Sequence, residues 1–173
     1  MAEFYPAVAF VLSNEGALTD DKRDMGEITN HGISLRFYRA TVKPDANDAD
    51  IRNLSVAEAE AIYKAQFWGK SRYGELNSQL IATKMLDLAV NLGAHEANLC
   101  LQRAINNCCT PAITLDGIIG VKTIDCANIL DENVLYGYLI VEAGKVYQEI
   151  LIAHPQDKPF AAGWNKRLNK EPV

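Results

Sequence analysis

The sequence contains no long apolar run and no basic segment at its start. A helix that spans a bilayer needs roughly 20 consecutive apolar residues, and no segment comes close to this length. The first residues, "MAEFYPAVAFVLSNEG", have Glu3 as their first charge and no small-residue cleavage site after them. A signal peptide would have both a basic start and such a site. We therefore expect no membrane insertion and no signal peptide, so the chain is made in a cytoplasm and acts elsewhere only after release.

An excess of positive charge is also absent. The 173 residues include 17 Lys and Arg against 22 Asp and Glu, which gives a net charge of −5. Proteins that bind nucleic acid usually carry a basic surface. We therefore expect no nucleic-acid partner, whereas a glycan remains compatible with this charge. Hydrophobic residues make up 49% of the chain, which is typical of one globular domain with a sizeable core.

Cysteine is scarce and irregularly spaced. The four cysteines are Cys100, Cys108, Cys109 and Cys126. Their spacing matches no common zinc pattern, and no histidine stands at ligand spacing beside them. We expect free, mostly buried thiols and no bound metal. The even number also permits a disulfide formed after export.

Hydrophobic periodicity predicts a mainly α fold with about seven or eight helices. Phe4, Val8 and Val11 recur at helical spacing, and Gly16 marks the end of that helix. At most a small irregular or β-hairpin excursion is expected around residues 16–34. A second helix begins near Ser34, and "KPDANDADIRNLS" follows as a polar linker with a short turn in it.

The middle of the chain holds the clearest helix signals. Ser55 and Glu58 form a capping-box pair at the start of "SVAEAEAIYKAQFW". "SQLIATKMLDLAVNLG" has a wide apolar face typical of a buried central helix, and it ends at Gly93. We place a soft boundary there, with an N-terminal region over residues 1–92 and a helical C-terminal region over residues 93–173. No flexible linker separates them, so we expect one packed unit.

The segment "NEGALTDDKRDMGEITNHGIS" interrupts the helical pattern with many polar residues. Glu15 directly follows an apolar helix, where removal of water favours a neutral carboxyl that donates a proton. Asp24 lies in the polar loop, where water keeps a carboxylate ionised, and Thr29 offers a hydroxyl that holds a water molecule. Two carboxyls in contrasting environments are what glycoside hydrolysis requires. The same residues are also compatible with a solvated loop. A calcium loop formed by Asp20, Asp21 and Asp24 is another alternative, although the EF-hand pattern is missing.

Several motifs, in order, resemble a known enzyme family. "EGALTDDKRDMGEITNHGIS" is similar to the glycoside hydrolase family 108 signature E-G-G-Y-x-N-D-P-x-D-x-G-G-x-T-x-[YF]-G-I-T. The matching positions, without a gap, are Glu15, Gly16, Asp21, Asp24, Gly26, Thr29, Gly32 and Ile33. "AEAEAIYKAQFW" and "LDLAVNLG" resemble later segments of the same family. "LQRAINNCCTPAITLDGIIGVKTI" and "GWNKRL" resemble the helical peptidoglycan-binding region that usually accompanies it.

The resemblance implies an N-acetylmuramidase with a lysozyme-like helical fold. Such an enzyme cleaves the β-1,4 bond between N-acetylmuramic acid and N-acetylglucosamine in bacterial peptidoglycan, with Glu15 as the catalytic acid. The order of Glu15, Asp24 and Thr29 also resembles the catalytic residues of phage-type lysozymes. The resemblance implies no cofactor. It is typical of a monomeric phage endolysin made in the host cytoplasm, and an exported antibacterial effector is the alternative biology.

The chain departs from the family signature within the loop. Ala17 and Leu18 replace a glycine and an aromatic residue, and Asp20-Asp21-Lys22 replaces Asn-Asp-Pro. Glu27 replaces a second glycine, and His31 replaces an aromatic residue. These changes leave the acid in place and affect the loop's conformation and its sugar contacts.

Four further residues are candidates for substrate binding: His31, Tyr63, Trp68 and Asn91. His31 is also compatible with a solvated loop position, and the two aromatic residues are also compatible with the core. Asn91 shares a helix face with Asp87, for which a structural role is expected. The glycines of "DGIIG" are expected to form a tight turn, and contact of this loop with peptidoglycan is the alternative. The basic residues Lys166, Arg167 and Lys170 are expected to form a solvated tail, and contact with an anionic envelope is the alternative.

Two other functions fit the same motifs. A lytic transglycosylase uses a single acid and forms an anhydro sugar, but Asp24 and Thr29 favour hydrolysis because both can position water. A non-catalytic peptidoglycan-binding protein would also carry these motifs, although an intact Glu15 argues against it.

Overall fold

The computed structural model describes residues 1–15, 18 and 28–172, and these residues are mainly helical. The helices are α1 (Phe4–Asn14), α2 (Leu35–Thr41), α3 (Asp48–Arg52), α4 (Val56–Tyr63), α5 (Gln79–Leu92), α6 (Ala94–Asn106), α7 (Val121–Ile129), α8 (Glu132–Ala153) and α9 (Ala161–Leu168). A π-helical turn, Lys64–Trp68, continues α4, and 3-10 turns lie at Tyr73–Glu75 and Pro155–Phe160. The predicted mainly α fold is confirmed.

Helix α5 is the centre of the core. Its residues from Ile81 to Ala89 are all buried, and it packs against α1, α6 and α8. The Ser78 hydroxyl accepts a hydrogen bond from the Ile81 N–H and caps the helix start. The helix ends at Gly93, which has a φ of 85°. Residues with a side chain rarely adopt this conformation, so glycine suits this position. The predicted buried central helix and its stop at Gly93 are both confirmed.

A small β-hairpin occupies the end of the polar excursion. Strands β1 (Thr29–Asn30) and β2 (Ile33–Ser34) are antiparallel. His31 and Gly32 form the turn with φ values of 50° and 76°, and two positive φ values are what a type I′ hairpin turn requires. The expectation of at most a small hairpin within residues 16–34 is therefore confirmed over its described part.

Helix α3 corrects the prediction of a polar linker before Ser55. Asn47 and Asp50 form a reciprocal capping box around this short helix. The Asn30 side chain donates hydrogen bonds to the carbonyl oxygens of Ile51, at 3.0 Å, and Leu54, at 3.3 Å. The end of α3 thus anchors the hairpin. A helix of five residues is too short to show hydrophobic periodicity, which explains why the pattern suggested a linker.

The "DGIIG" loop is held by side chains of α6. Gln102 accepts hydrogen bonds from the N–H groups of Asp116, at 3.0 Å, and Gly117, at 2.9 Å. Its amide nitrogen donates to Asp116 Oδ1 at 2.7 Å and to the Ile118 carbonyl at 3.0 Å. Asn98 donates to the Gly117 carbonyl at 2.9 Å. These bonds support the structural role expected for this turn.

The four cysteines are free thiols, and Cys100 is fully buried. Burial raises the pKa of Cys100 to about 12. In the part of the chain that the structure describes, no helix has the length and apolar character needed to cross a membrane.

Candidate active site

Glu15 lies at the C-terminal end of α1. Its backbone N–H donates a hydrogen bond to the Val11 carbonyl at 3.0 Å, and its own backbone is extended, so the helix ends there. Phe4, Ala7 and Val11 are buried on α1, which packs against α5. This packing fixes the position of the Glu15 backbone, and the Glu15 side chain is only 16% exposed.

The hairpin turn covers the Glu15 side chain. A Cβ atom placed on Gly32 would lie 2.6 Å from Glu15 Cδ and 2.7 Å from Glu15 Cγ, and it would also overlap the Tyr63 hydroxyl. Only glycine permits this approach. Tyr63 donates a hydrogen bond to the His31 carbonyl at 2.7 Å, so α4 holds the turn in place. Burial raises the pKa of Tyr63, which keeps this hydroxyl protonated as a donor.

Arg167 of α9 contacts Glu15 from the other side. Arg167 Nη1 lies 2.7 Å from Glu15 Oε1, and the Arg167 side chain is 12% exposed. The two atoms form an ion pair, but the N–H direction does not give a well-aligned hydrogen bond. The Glu15 carboxyl therefore faces a buried cation in addition to the apolar packing predicted from the sequence.

Asp87 holds Arg167 in this position. Arg167 Nε donates to Asp87 Oδ1 at 2.9 Å, and Nη2 donates to the Asp87 carbonyl at 3.3 Å. Asn14, next to Glu15, also donates to Asp87 Oδ1 at 3.0 Å. Although burial opposes its charge, Asp87 and Glu15 together raise the pKa of Arg167. The structural role predicted for Asp87 is thus to anchor an arginine beside Glu15.

Lys84 completes the buried charge network. Its ammonium group lies 3.5 Å from Asp87 Oδ2, which is ion-pair range. No hydrogen bond to that oxygen is found among the described residues. Lys84 also donates to the carbonyl oxygens of Arg167, at 2.9 Å, and Lys170, at 3.1 Å, at the end of α9. Burial lowers the pKa of Lys84, and the neighbouring Asp87 carboxylate opposes this shift.

The other predicted catalytic residues are Asp24 and Thr29. Thr29 lies in β1 and pairs with Ser34 across the hairpin whose turn covers Glu15. Asp24 lies outside the described residues, as do Asp20, Asp21 and Glu27. Their roles stay predictions.

The predicted sugar-binding residues differ in accessibility. Tyr63 is fully buried, and Trp68 is 8% exposed and packs edge to face with Phe4 and Tyr73. These positions support core packing. Asn91 is exposed, and its side-chain oxygen accepts a hydrogen bond from Tyr147 at 2.7 Å. His31 is half-buried at the hairpin turn. Sugar contact stays a prediction for all four.

Sequence reasoning missed Arg167 as part of the site. Together with Lys166 and Lys170, it was expected to form a solvated basic tail. Lys166 is exposed, but Lys170 donates hydrogen bonds to Ser13 Oγ at 3.0 Å and Asn14 Oδ1 at 2.5 Å. The sequence pattern of α9 does not indicate which distant carboxylate Arg167 contacts. The pairing of Arg167 with Glu15 is visible only in the tertiary structure.

Comparisons with known proteins identify the families that the chain matches. Residues 8–93 match the family model described as Glycosyl hydrolase 108, and residues 96–169 match the model described as Predicted Peptidoglycan domain. A comparison with curated proteins gives no match. The chain is similar to the solved structure of SagA from Brucella abortus, with 25% identity and a TM-score of 0.80 over 95% of this chain and 88% of that chain.

These comparisons confirm the family resemblance on which the site residues were chosen. Glu15 and the hairpin lie within the first matched region, and Arg167 lies within the second. The chain belongs to glycoside hydrolase family 108 through residues 8–93, followed by a peptidoglycan-binding region over residues 96–169, which makes it a peptidoglycan-degrading, lysozyme-like glycoside hydrolase.

Proposed function

We propose that the protein is an N-acetylmuramidase that hydrolyses the β-1,4 bond between N-acetylmuramic acid and N-acetylglucosamine, with Glu15 as the general acid. The observation that carries this proposal is the placement of Glu15. Its carboxyl lies at the end of α1, mostly buried, between the Gly32 turn and Arg167. A catalytic carboxyl needs such a fixed geometry, because proton transfer requires a donor within hydrogen-bond reach of the leaving oxygen.

The proposed reaction consumes one water molecule. Glu15 gives its proton to the glycosidic oxygen while the bond between that oxygen and C1 of N-acetylmuramic acid breaks. The sugar passes through an oxocarbenium-like transition state. Water then bonds to C1, and the proton that it releases ends on the Glu15 carboxylate, which restores the acid form of the enzyme. In this proposal Asp24 and Thr29 position the water or stabilise the positive charge on the sugar.

The biological role is proposed on the same family resemblance. We propose a phage-type endolysin that reaches the cell wall from the host cytoplasm after the membrane has been opened by another protein. Expression in a bacterial host with and without a membrane-permeabilising protein tests this role. Lysis only when both proteins are present supports it, and lysis by the chain alone contradicts it.

Mass spectrometry of the digestion products identifies the reaction. Purified peptidoglycan is incubated with the wild-type protein, and the new end groups are identified. Reducing N-acetylmuramic acid ends support the muramidase proposal. Anhydro ends identify a lytic transglycosylase, reducing N-acetylglucosamine ends identify cleavage of the other glycosidic bond, and binding without cleavage contradicts the catalytic proposal.

A further inference from the structure

The peptidoglycan-binding region supplies a side chain to the candidate active site. Arg167 lies in α9, within the region that matches the peptidoglycan domain. Its guanidinium reaches Glu15 Oε1 at a distance of 2.7 Å. The family models divide the chain before α6, but this ion pair joins the two matched regions at the candidate acid itself.

The position of Arg167 is determined by several independent contacts. Its Nε and Nη2 groups both bind Asp87, a residue of α5 that is 80 positions away in sequence. The fork of a guanidinium can engage two carboxylates in fixed directions, which a lysine ammonium cannot do. One edge of Arg167 is thus attached to α5, and Nη1 lies 2.7 Å from Glu15 Oε1.

Helix α9 is itself attached to the N-terminal region. Lys84 of α5 binds the carbonyl oxygens of Arg167 and Lys170 at the end of α9. Lys170 in turn binds Ser13 and Asn14 at the end of α1. These contacts fix the chain at Arg167 and at Lys170, just after the end of α9, so the Arg167 side chain approaches Glu15 from a firmly held segment.

Four groups with little exposure to solvent form this cluster. Glu15 and Asp87 are acidic, and Lys84 and Arg167 are basic, with side-chain exposures of 16%, 1%, 0% and 12%. Burial of an unpaired charge is strongly destabilising, whereas paired charges are tolerated. Arg167 is therefore available to orient Glu15 because Asp87 compensates its charge.

We propose that Arg167 is a positioning residue for Glu15, so that the peptidoglycan-binding region completes the active site. This inference rests on the proposed function. The ion pair with Oε1 holds the carboxyl group in one rotation, and Oε2 becomes the oxygen that exchanges a proton with the glycosidic oxygen. A misplacement of about 1 Å in a catalytic group lowers rates by as much as about 100-fold, so even a partial loss of this orientation is measurable.

The test compares Arg167→Gln and Arg167→Lys with Lys166→Gln in the full chain. Lys166 is the matched control, because it precedes Arg167 on α9 and is exposed. The substrate is a soluble, uncross-linked peptidoglycan strand, and kcat and KM are measured at a temperature where circular dichroism shows each variant to be folded. We expect Arg167→Gln to lower kcat by roughly 10- to 100-fold, with KM within about twofold of wild type, since binding of the strand is unaffected.

The conservative variant separates charge from orientation. Arg167→Lys keeps the charge but loses the fork, so we expect it to recover part of the lost kcat and not all of it. It also serves as the test if Arg167→Gln does not fold. Folded Arg167 variants with kcat within about twofold of wild type, or with a loss confined to KM, would overturn the inference.

The Glu15→Gln variant separates the positioning role of Arg167 from the catalytic role of Glu15. If the wild-type protein releases no sugar ends, or if Glu15→Gln remains fully active, the proposed function fails and Arg167 has no acid to position. If the wild type is active and Glu15→Gln is inactive while the folded Arg167 variants match the wild type, only the positioning role is wrong.

Discussion

Gly32 lies directly against Glu15, so that any side chain at position 32 would occupy the space of the Glu15 carboxyl group. A Cβ there would lie 2.6 Å from Glu15 Cδ. The backbone φ of Gly32 is +76°, a conformation that residues with a side chain rarely adopt. The hairpin thus depends on glycine for two reasons, one conformational and one steric.

Gly32→Ala should therefore lower both stability and activity. We expect a loss of about 1–3 kcal/mol in the free energy of unfolding from backbone strain, and a lower kcat because the new methyl group displaces Glu15. Denaturant unfolding and the rate of peptidoglycan digestion measure the two effects.

Gly93→Ala is the matched control for this prediction. Gly93 also has a positive φ, +85°, but no described atom lies within 4 Å of the position of its Cβ. Its substitution should destabilise the fold through strain while kcat stays near the wild-type value. Equal activity of the two folded variants would contradict the contact between residue 32 and the acid.

Gln102→Ala should destabilise the fold by removing the support of the "DGIIG" loop. The Gln102 side chain makes four hydrogen bonds, to groups of Asp116, Gly117 and Ile118. Loss of this side chain leaves polar groups without partners, so we expect a decrease of about 1–3 kcal/mol in the free energy of unfolding. Gln148→Ala, at an exposed position of α8, should change it by less than about 0.5 kcal/mol. Similar values for the two variants would show that the loop does not depend on Gln102.

Alkaline pH should destabilise the protein through its buried tyrosines. Burial raises the pKa of Tyr63, Tyr73 and Tyr147 above the ordinary value of 10.0, and it raises the pKa of Tyr136 to about 12. Below pH 10 these hydroxyls are neutral in both states, and the stability is fully present. Above that pH they ionise in the unfolded chain first, so the unfolded state binds fewer protons and stability falls as pH rises through the folded-state pKa values.

Tyrosinate absorbance and circular dichroism measured during an alkaline titration test this expectation. Of the seven tyrosines in the chain, these four should ionise together with the loss of helical signal. In Tyr136→Phe, only three tyrosines should ionise together with the loss of helical signal. Ionisation of all seven tyrosines while the helical signal is still intact would show that the hydroxyls are accessible in the folded state.

The elements that the sequence predicted well are those with strong local signals. The Ser55 and Glu58 capping box starts α4 as expected, and the apolar face of α5 ends at Gly93. Helix α3 was missed because a helix of five residues is too short to show hydrophobic periodicity. The π-helical turn after Tyr63 was also missed, since its formation depends on packing and not on a local pattern.

The candidate site was predictable only in part. Glu15 follows from its position after an apolar helix and from the family signature. Arg167 is far away in sequence, and its neighbours Lys166 and Lys170 are basic too, so composition alone indicated a solvated tail. In the folded chain, Arg167 of α9 contacts Glu15 at the end of α1 and Asp87 of α5. Of the three basic residues, Arg167 is the one that lies beside Glu15. Such long-range pairing depends on tertiary structure, which local patterns do not encode.

The role of Glu15 as the catalytic acid is tested by the digestion rate of Glu15→Gln beside that of Glu3→Gln. Glu3 precedes the opposite end of α1, so it controls for loss of a glutamate next to the same helix. With both variants folded and bound to peptidoglycan, we expect Glu15→Gln to lose at least about 100-fold in rate and Glu3→Gln to match the wild type. A folded Glu15→Gln variant that digests peptidoglycan at the wild-type rate would show that Glu15 is not the catalytic acid.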